Sequence, residues 1–324
     1  MDLILKLNQN FAKELVILEN IIAQNLNHEI DMIRDILKHV VQAGGKRFRP
    51  MLLIASTALV EGDDFERAAR MGASIEMIHT ATLLHDDVVD DNHLRRGRET
   101  ANKLFGNSYS ILVGDYLFTK SFQLLIDNKD IEILDIISRS FMAMAEGEVI
   151  QMMNVSNFDM DVETNLKIIG AKTAKLISAA CKIGGIVGGA KEEEIKALGE
   201  YGESLGTLFQ IADDILDYTG DAQKLGKPTG NDFWEGKMTL PLIYALKNAP
   251  EEEIAQIKNI FKTKDLGQFP QVQDFIERHH GVENTLVFSK QIQEKALGHL
   301  KIFPQNQMRQ FFEELVNYTL IRAA

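Results

Sequence analysis

The sequence predicts an all-α protein, and three observations carry that prediction. Proline occurs only at Pro50, Pro228, Pro241, Pro250, Pro270 and Pro304, so none falls between Pro50 and Pro228. A stretch of that length, rich in Leu, Ile, Ala, Met and Glu, favours consecutive helices. Apolar residues recur three and four apart rather than two apart, and no alternating run is long enough to build a sheet.

The elements follow in order. Leu3, Leu7, Phe11, Leu15 and Leu18 line one face of an opening helical segment. Polar or glycine-rich breaks come at Gly44-Gly45, Glu61-Gly62-Asp63-Asp64, Arg95-Arg96-Gly97, Asp127-Asn128, Asn154 to Asp161, and Gly188-Gly189. Between two of these breaks, Ile131, Leu134, Ile137, Phe141 and Met144 repeat the helical spacing. There is no low-complexity linker and no fixed-period repeat. The expectation is therefore a single domain over residues 1–324, a large helical bundle of roughly ten or more helices with its site in a central cavity. After Pro250 the periodic signals weaken, which predicts peripheral helices.

Composition bounds the function. The chain has 324 residues, 45% hydrophobic and 25% charged, the balance of a globular protein. Its formal net charge of -12 predicts no nucleic-acid partner and no general attraction to an anionic membrane. An anionic ligand must then be held by a local basic cluster or by bridging cations. Cys181 is the only cysteine, which excludes an intrachain disulfide and argues against a thiolate metal site. Asp2, Lys6, Lys13 and Glu14 interrupt the N-terminal apolar positions, unlike a secretory signal. No stretch approaches the roughly 18 apolar residues of a spanning helix. The expected compartment is the cytoplasm, with no transmembrane segment.

Two acidic clusters stand out. Leu83 to Asp91 ends an apolar run with Asp86, Asp87, Asp90 and Asp91, and Phe209 to Asp217 carries Asp213, Asp214 and Asp217. Both contain Asp-Asp-x-x-Asp. Four residues advance a helix by about 400°, which brings Asp86 and Asp90 onto nearly one face, and Asp213 and Asp217 likewise. Like charges so placed repel, and no lysine or arginine sits one turn away in sequence. Hard cations supply a reason, because Mg²⁺ takes carboxylate oxygens and keeps positions for water and phosphate. A solvated acidic face is the alternative for one cluster; two copies on otherwise apolar helices weigh against it.

Basic groups stand where a metal-bridged diphosphate would need them. Gly44-Gly45-Lys46-Arg47-Phe48-Arg49-Pro50 reads as a basic turn between helices, and Arg95-Arg96-Gly97-Arg98 follows the first acidic cluster in the next loop. Lys172-Thr173 lies on a small-residue helix from Ala171 to Ala180, and Lys227 and Lys237 bracket the segment Gly226 to Lys237. His79 sits two turns before Asp86 on the same face, where a packed core histidine and a site residue are both open.

In this order, from about residue 40 to 245, these motifs resemble the trans-isoprenyl diphosphate synthases. The string His79 to Gly97, with Glu146-Gly147-Glu148-Val149-Ile150-Gln151, is most similar to the long-chain branch and its octaprenyl members, which make quinone side chains. The resemblance implies the all-α isoprenoid synthase fold, a homodimer, and about three Mg²⁺ per site. It implies Asp86, Asp90 and Asp213 as principal metal ligands, with Asp87, Asp214 and Asp217 in support. Arg95, Lys172, Lys237 and Lys227 would hold an allylic diphosphate, while Lys46, Arg49, His79 and Arg96 would hold isopentenyl diphosphate. Thr173 and Gln210 would aim oxygen dipoles at the developing carbocation.

Two departures matter. Gln151 replaces a metal-binding aspartate of shorter-chain relatives, and the tail offers only Arg322 where many relatives end in a basic cluster. Ala81 and Thr82, one turn below Asp86, are small where farnesyl-making relatives carry bulky aromatics, which implies an open tunnel. Its floor is expected near Ile75, Ile137, Phe141 or Met144. Product lengths of seven, eight or nine units stay open. A terpene cyclase lacks use for Lys46, Arg49 and Arg96, and a His-Asp phosphohydrolase wants further histidine ligands that His28, His39, His79, His93, His279, His280 and His299 do not supply by spacing.

Overall fold

The computed structural model describes residues 3–42, 44–220, 229–263 and 265–321. They fold as helices in the order α1 (Leu3–Asn10), α2 (Ala12–Leu26), α3 (Asp31–Gln42), α4 (Phe48–Leu59), α5 (Phe65–Val89), α6 (Ala101–Phe105), α7 (Asn107–Asp127), α8 (Ile131–Met153) and α9 (Val162–Ile169). A π-helical turn, Gly170–Ala174, leads into α10 (Lys175–Val187) and α11 (Glu192–Thr219). Then come α12 (Asn231–Glu235), α13 (Leu240–Asn248), α14 (Glu251–Thr263), α15 (Phe269–Arg278), α16 (Gly281–His299) and α17 (Gln307–Ile321). Among the described residues the only β structure is a two-residue antiparallel ladder, Leu94–Arg95 with Arg98–Glu99. The all-α architecture expected from the sequence is the one observed.

The chain forms two compact units. The first comprises residues 1–139, 179–199 and 302–309; the second comprises 140–178, 200–301 and 310–324.

In the first unit α5 is the central element, packed against α2, α4 and α7. Its N-terminus is capped by Asp64, whose side chain accepts from the Arg67 N–H. Small residues let its neighbours close in. A Cβ added at Gly72 would lie 2.9 Å from the Pro50 Cβ of α4, and one added at Gly114 of α7 would strike the His85 ring at 2.2 Å. The helix ends at Val89 with Asp90 as its C-cap. The ladder after it turns through Arg96 and Gly97, both at positive φ, as the favoured two-residue hairpin turns require.

In the second unit the core is aromatic. Phe233 stands edge-on to Phe261 at 4.8 Å between centroids, and Tyr218, Phe269 and Phe275 are buried beside them. The expectation of peripheral helices after Pro250 is therefore corrected. Phe261, Phe269 and Phe275 lie in this core, and the buried Phe312 carbonyl accepts the Tyr201 hydroxyl at 2.9 Å. Their apolar spacing marks a buried face in each but does not show which partner helix covers it. Cys181 is buried, and burial pushes its thiol up to about 12, which makes it inert at neutral pH.

Candidate active site

The first unit carries the first acidic cluster and the basic turn expected from the sequence. Asp86, Asp87 and Asp90 stand in the last turn of α5, where backbone carbonyls already concentrate negative charge. Asp86 and Asp90 are half-buried and Asp87 is buried. Arg95 reaches back from the ladder to Asp87, donating through Nε at 2.9 Å to Oδ1 and through Nη2 at 2.8 Å. Asp87 is thus answered by a cation that sequence spacing did not show. Burial still holds its carboxyl above the usual range, against the pull of Arg95. Asn102 donates to its backbone carbonyl at 3.0 Å and fixes the turn.

Next to this lies a basic cluster. Gly44 and Arg47 both take positive φ, and the sharp turn they make starts α4 at Phe48. Burial and the Arg96 charge push the Arg49 guanidinium down, and its Nε has no hydrogen-bond partner among the described residues. Burial, then the charges of Arg49, Arg96, Arg95 and Arg47, hold His79 well below its ordinary value, so its imidazole is neutral. The sequence left His79 open between core and site; it stands among four arginines. Lys46 is exposed at the mouth of the turn. Ala81 is fully buried, and Thr82 is half-buried with its hydroxyl donating to the His79 carbonyl at 2.8 Å. Ile75 and Ile137 are buried in the same unit.

The second unit carries the remaining expected residues. The segment Gly170–Ala174 is π-helical, where the sequence predicted plain α-helix; such bulges occur often at functional sites. It is held by close approach. A Cβ at Gly147 of α8 would lie 2.5 Å from the Ala171 Cβ, and one at Gly206 of α11 would lie 2.6 Å from the Ala174 Cα. Lys172 on this bulge pairs with Glu148 at 2.7 Å, and Gln151 donates to Glu148 at 3.3 Å. The Thr173 hydroxyl donates to Gln210 Oε1 at 2.9 Å, and Gln210 Nε2 donates to Asp214 Oδ1 at 2.9 Å.

Asp213, Asp214 and Asp217 lie in the last two turns of α11, again at the negative pole of a helix. Asp214 and Asp217 are buried. Asp217 accepts from the backbone N–H groups of Asn231 and Asp232 at 3.3 and 2.9 Å, which ties the start of α12 to the acidic cluster. Burial pushes Asp214 up to about 7, with Asp213 and Asp217 adding to it and Gln210 and Lys237 opposing. Asp232 is raised well above its ordinary value by burial and by Asp214 and Asp217. Sequence reasoning missed Asp232, because only the bonds from the Asn231 and Asp232 N–H groups to Asp217 place it there. Lys237 follows α12 and pairs with Glu235. Lys227 and Arg322 lie outside the described residues. A cavity of about 540 Å³ in this unit, lined by Phe158, Met160, Ile243, Lys247 and Lys258 among others, includes none of the expected site residues.

The acids suit a divalent cation. They crowd at helix ends that disfavour them, and burial raises Asp87, Asp214 and Asp232. Among the described residues no three acids or histidines close into a cage. An open donor set fits Mg²⁺, which keeps waters and takes one or two carboxylates together with substrate phosphates.

Comparison with known proteins decides the family. Residues 30–277 match the family model described as polyprenyl synthetase, most of the chain and both acidic clusters. The chain belongs to the polyprenyl synthetase family. Its relatives include the octaprenyl diphosphate synthase of Escherichia coli (strain K12), 37% identical over 306 residues and 94% of each chain. Among solved structures, a decaprenyl diphosphate synthase from Rhodobacter capsulatus superposes with a TM-score of 0.92 at 39% identity, covering 98% of this chain and 99% of that one. A polyprenyl synthase from Caulobacter crescentus CB15, complexed with calcium and isoprenyl diphosphate, gives a TM-score of 0.93 at 35% identity, covering 99% and 98%. As a polyprenyl synthetase the chain is a prenyltransferase acting on prenyl diphosphates. Similar identity to octaprenyl and decaprenyl enzymes leaves product length to other arguments. No helix among the described residues is long and apolar enough to cross a membrane.

Proposed function

We propose that the chain is a long-chain trans-polyprenyl diphosphate synthase. It adds isopentenyl diphosphate head to tail onto an allylic diphosphate, with farnesyl diphosphate as the favoured primer, to about eight isoprene units. The product serves as a respiratory quinone side chain, made in the cytoplasm. The observation that carries the reading is the pair of Asp-Asp-x-x-Asp clusters, each set at the negative end of a helix, where bound cations would offset the repulsion. In this reading Asp86, Asp90 and Asp213 hold Mg²⁺, about three ions per site, with Asp87, Asp214 and Asp217 in support. A homodimer belongs to the reading through the family resemblance, and light scattering of the purified chain checks it.

Bound Mg²⁺ would supply charge neutralisation for the departing diphosphate. The chain's own groups do the rest. Arg95, Lys172, Lys237 and Lys227 take diphosphate oxygens, and the pairing of Lys172 with Glu148 keeps its ammonium extended and ready for exchange. Thr173 and Gln210, linked at 2.9 Å, point oxygen dipoles toward the allylic carbon as its carbon–oxygen bond ionises. Lys46, Arg49, His79 and Arg96 hold isopentenyl diphosphate so that its double bond attacks that carbon, and orientation supplies a share of the rate. The proton then passes to the released diphosphate. His79, held neutral among arginines, donates a hydrogen bond to the bound anion without taking up its proton.

The arginine cluster around His79 disfavours a terpene cyclase, which has no second diphosphate to bind. The test is incubation with labelled isopentenyl diphosphate, farnesyl diphosphate and Mg²⁺, followed by sizing of the product. Chain growth supports the reading; phosphate release without growth indicates a hydrolase, and a cyclic hydrocarbon a cyclase. Replacing Asp86 and Asp90 by Ala abolishes condensation, and full activity in that variant removes the first cluster from the mechanism.

A further inference from the structure

Arg47 sits in the middle of the basic turn yet is already engaged. Its Nε donates to Glu19 Oε1 at 2.6 Å and its Nη2 to Glu19 Oε2 at 3.2 Å, a fork that closes on both carboxylate oxygens. Its Nη1 donates to Glu76 Oε1 at 2.9 Å. Burial works to lower its basicity, but the bonds and charges of the two glutamates overcome it and hold Arg47 above its ordinary value. The Arg47 side chain is 11% exposed and Glu76 9%, so that pair is screened little by water, while Glu19 meets Arg47 from the surface. Glu19 comes from α2 and Glu76 from α5, and a charged bond to each ties the turn to two helices.

The tie has a direction. A Cβ added at Gly45 would lie 3.3 Å from Arg96 Nη1, 3.4 Å from Arg47 Nη1 and 3.6 Å from Glu76 Oε1. The turn backbone, both guanidinium groups and the Glu76 carboxylate therefore meet at one point. Glu76 also stands one turn before His79 on α5 and acts on the charges of both Arg49 and Arg96. Without it, Arg47, Arg49 and Arg96 would repel one another around a neutral imidazole. Arg47 has its left-handed φ of 50°, a costly conformation for a residue with a side chain, and the two carboxylates are what fix it there.

We propose that Glu19 and Glu76, acting through Arg47, are positioning residues that hold the Gly45–Arg49 turn and Arg96 in register for the diphosphate of isopentenyl diphosphate. Arg47 is a strut and not a ligand. The proposal rests on the reading above, that this cluster is the isopentenyl diphosphate half of the site. Glu19 is the useful probe, because its side chain is 43% exposed and its replacement leaves no buried orphan charge.

The experiment is calorimetric titration of isopentenyl diphosphate, in EDTA, into the full chain and into Glu19→Gln and Arg47→Lys. Steady-state kinetics with Mg²⁺ and thermal unfolding accompany it. Lysine keeps the charge but cannot bridge two carboxylates. Both variants are expected to weaken isopentenyl diphosphate binding about fivefold to tenfold, the worth of one charge-assisted hydrogen bond. The KM for the allylic substrate and kcat stay within about twofold, and Glu19→Gln melts within a few degrees of the parent. Unchanged binding in both variants overturns the proposal. So does an equal loss for both substrates with a collapse in Tm, the mark of a merely structural role. If the parent chain itself fails to bind isopentenyl diphosphate, the assignment of this pocket fails first, and that failure is distinct from equal binding by parent and variants.

Discussion

Replacing Gly147 by Ala tests how the second unit places Lys172. The added Cβ would lie 2.5 Å from the Ala171 Cβ and 3.4 Å from the Lys172 backbone nitrogen. Non-bonded carbons rest at about 3.5–4.0 Å, so the π turn must move away by roughly 1 Å. The neighbouring atom is a Cβ one bond from the backbone, and no flexible side chain can absorb the strain. Lys172 rides on the segment that moves, and its ammonium leaves the position set by Glu148. A misplacement of about 1 Å in a group that orients a reacting substrate costs roughly a hundredfold in rate.

Stability changes far less. Overpacking costs about 1–3 kcal/mol, and exchanging glycine for alanine within a helix returns about 1 kcal/mol. The net, about 1 kcal/mol, moves Tm by only a few degrees. The assay is initial rate against farnesyl diphosphate concentration at saturating isopentenyl diphosphate and Mg²⁺, beside thermal unfolding. The expected result is a fall in kcat/KM for the allylic substrate of roughly ten- to a hundredfold, with isopentenyl diphosphate binding in EDTA unchanged. The double variant Gly147→Ala with Ala171→Gly moves the methyl to the other side of the contact and should restore most of the rate. An unchanged kcat/KM in the folded single variant, or a double variant no better than the single one, refutes the argument that this close approach positions Lys172.

Two further outcomes follow from the first unit. His79, depressed well below its ordinary value, stays neutral in the folded chain while the unfolded chain takes up a proton below about pH 6.5. Its contribution to stability is therefore present above pH 6.5 and lost as pH falls from there toward the folded value. Thermal unfolding between pH 7.5 and 5 should show the parent losing stability more steeply than His79→Gln, and parallel profiles would remove the depressed histidine. Ala81→Phe should shorten the product sharply, because Ala81 is fully buried one turn below Asp86 and a benzyl group there occupies the space the resemblance assigns to the growing tail. Chromatographic sizing of the products decides it, and an unchanged length refutes the tunnel assignment.

The all-α fold was legible because it rests on local signals. Proline spacing and three-to-four periodicity depend on a few residues at a time, and so does Asp-Asp-x-x-Asp. What was not legible depends on distant residues meeting. Arg95 reaches back to Asp87 from the strand after α5, the Asp232 N–H donates to Asp217 from α12, and Glu19 reaches Arg47 from another helix. No spacing rule connects such pairs. The π turn at Gly170–Ala174 was missed for a related reason. Its residues are small and helix-compatible, and the departure from α geometry comes with tight packing against Gly147 and Gly206. The aromatic helices after Pro250 were placed at the periphery because burial of Phe261, Phe269 and Phe275 depends on partners a short periodic segment does not reveal.

The basic cluster around His79 and the second acidic cluster treat an anionic substrate on an acidic chain in opposite ways. With a net charge of -12, the protein as a whole repels diphosphates. Around His79 in the first unit, apart from the acidic cluster at the end of α5, guanidinium groups converge with Glu19 and Glu76 bonded to Arg47, and that basic cluster attracts an anion with no cation added. In the second unit, Asp213, Asp214, Asp217 and Asp232 outweigh Lys237, and burial raises Asp214 and Asp232 above their ordinary values. Such a cluster repels a diphosphate unless divalent cations invert its charge. Isopentenyl diphosphate should accordingly bind in EDTA, whereas the allylic diphosphate should require metal and release protons as the complex forms. The same difference keeps an unreactive substrate and a reactive one apart: the group that must ionise gains its electrostatic support only where metal gathers, and the group that must wait as nucleophile is held by arginines that lend its double bond no such pull.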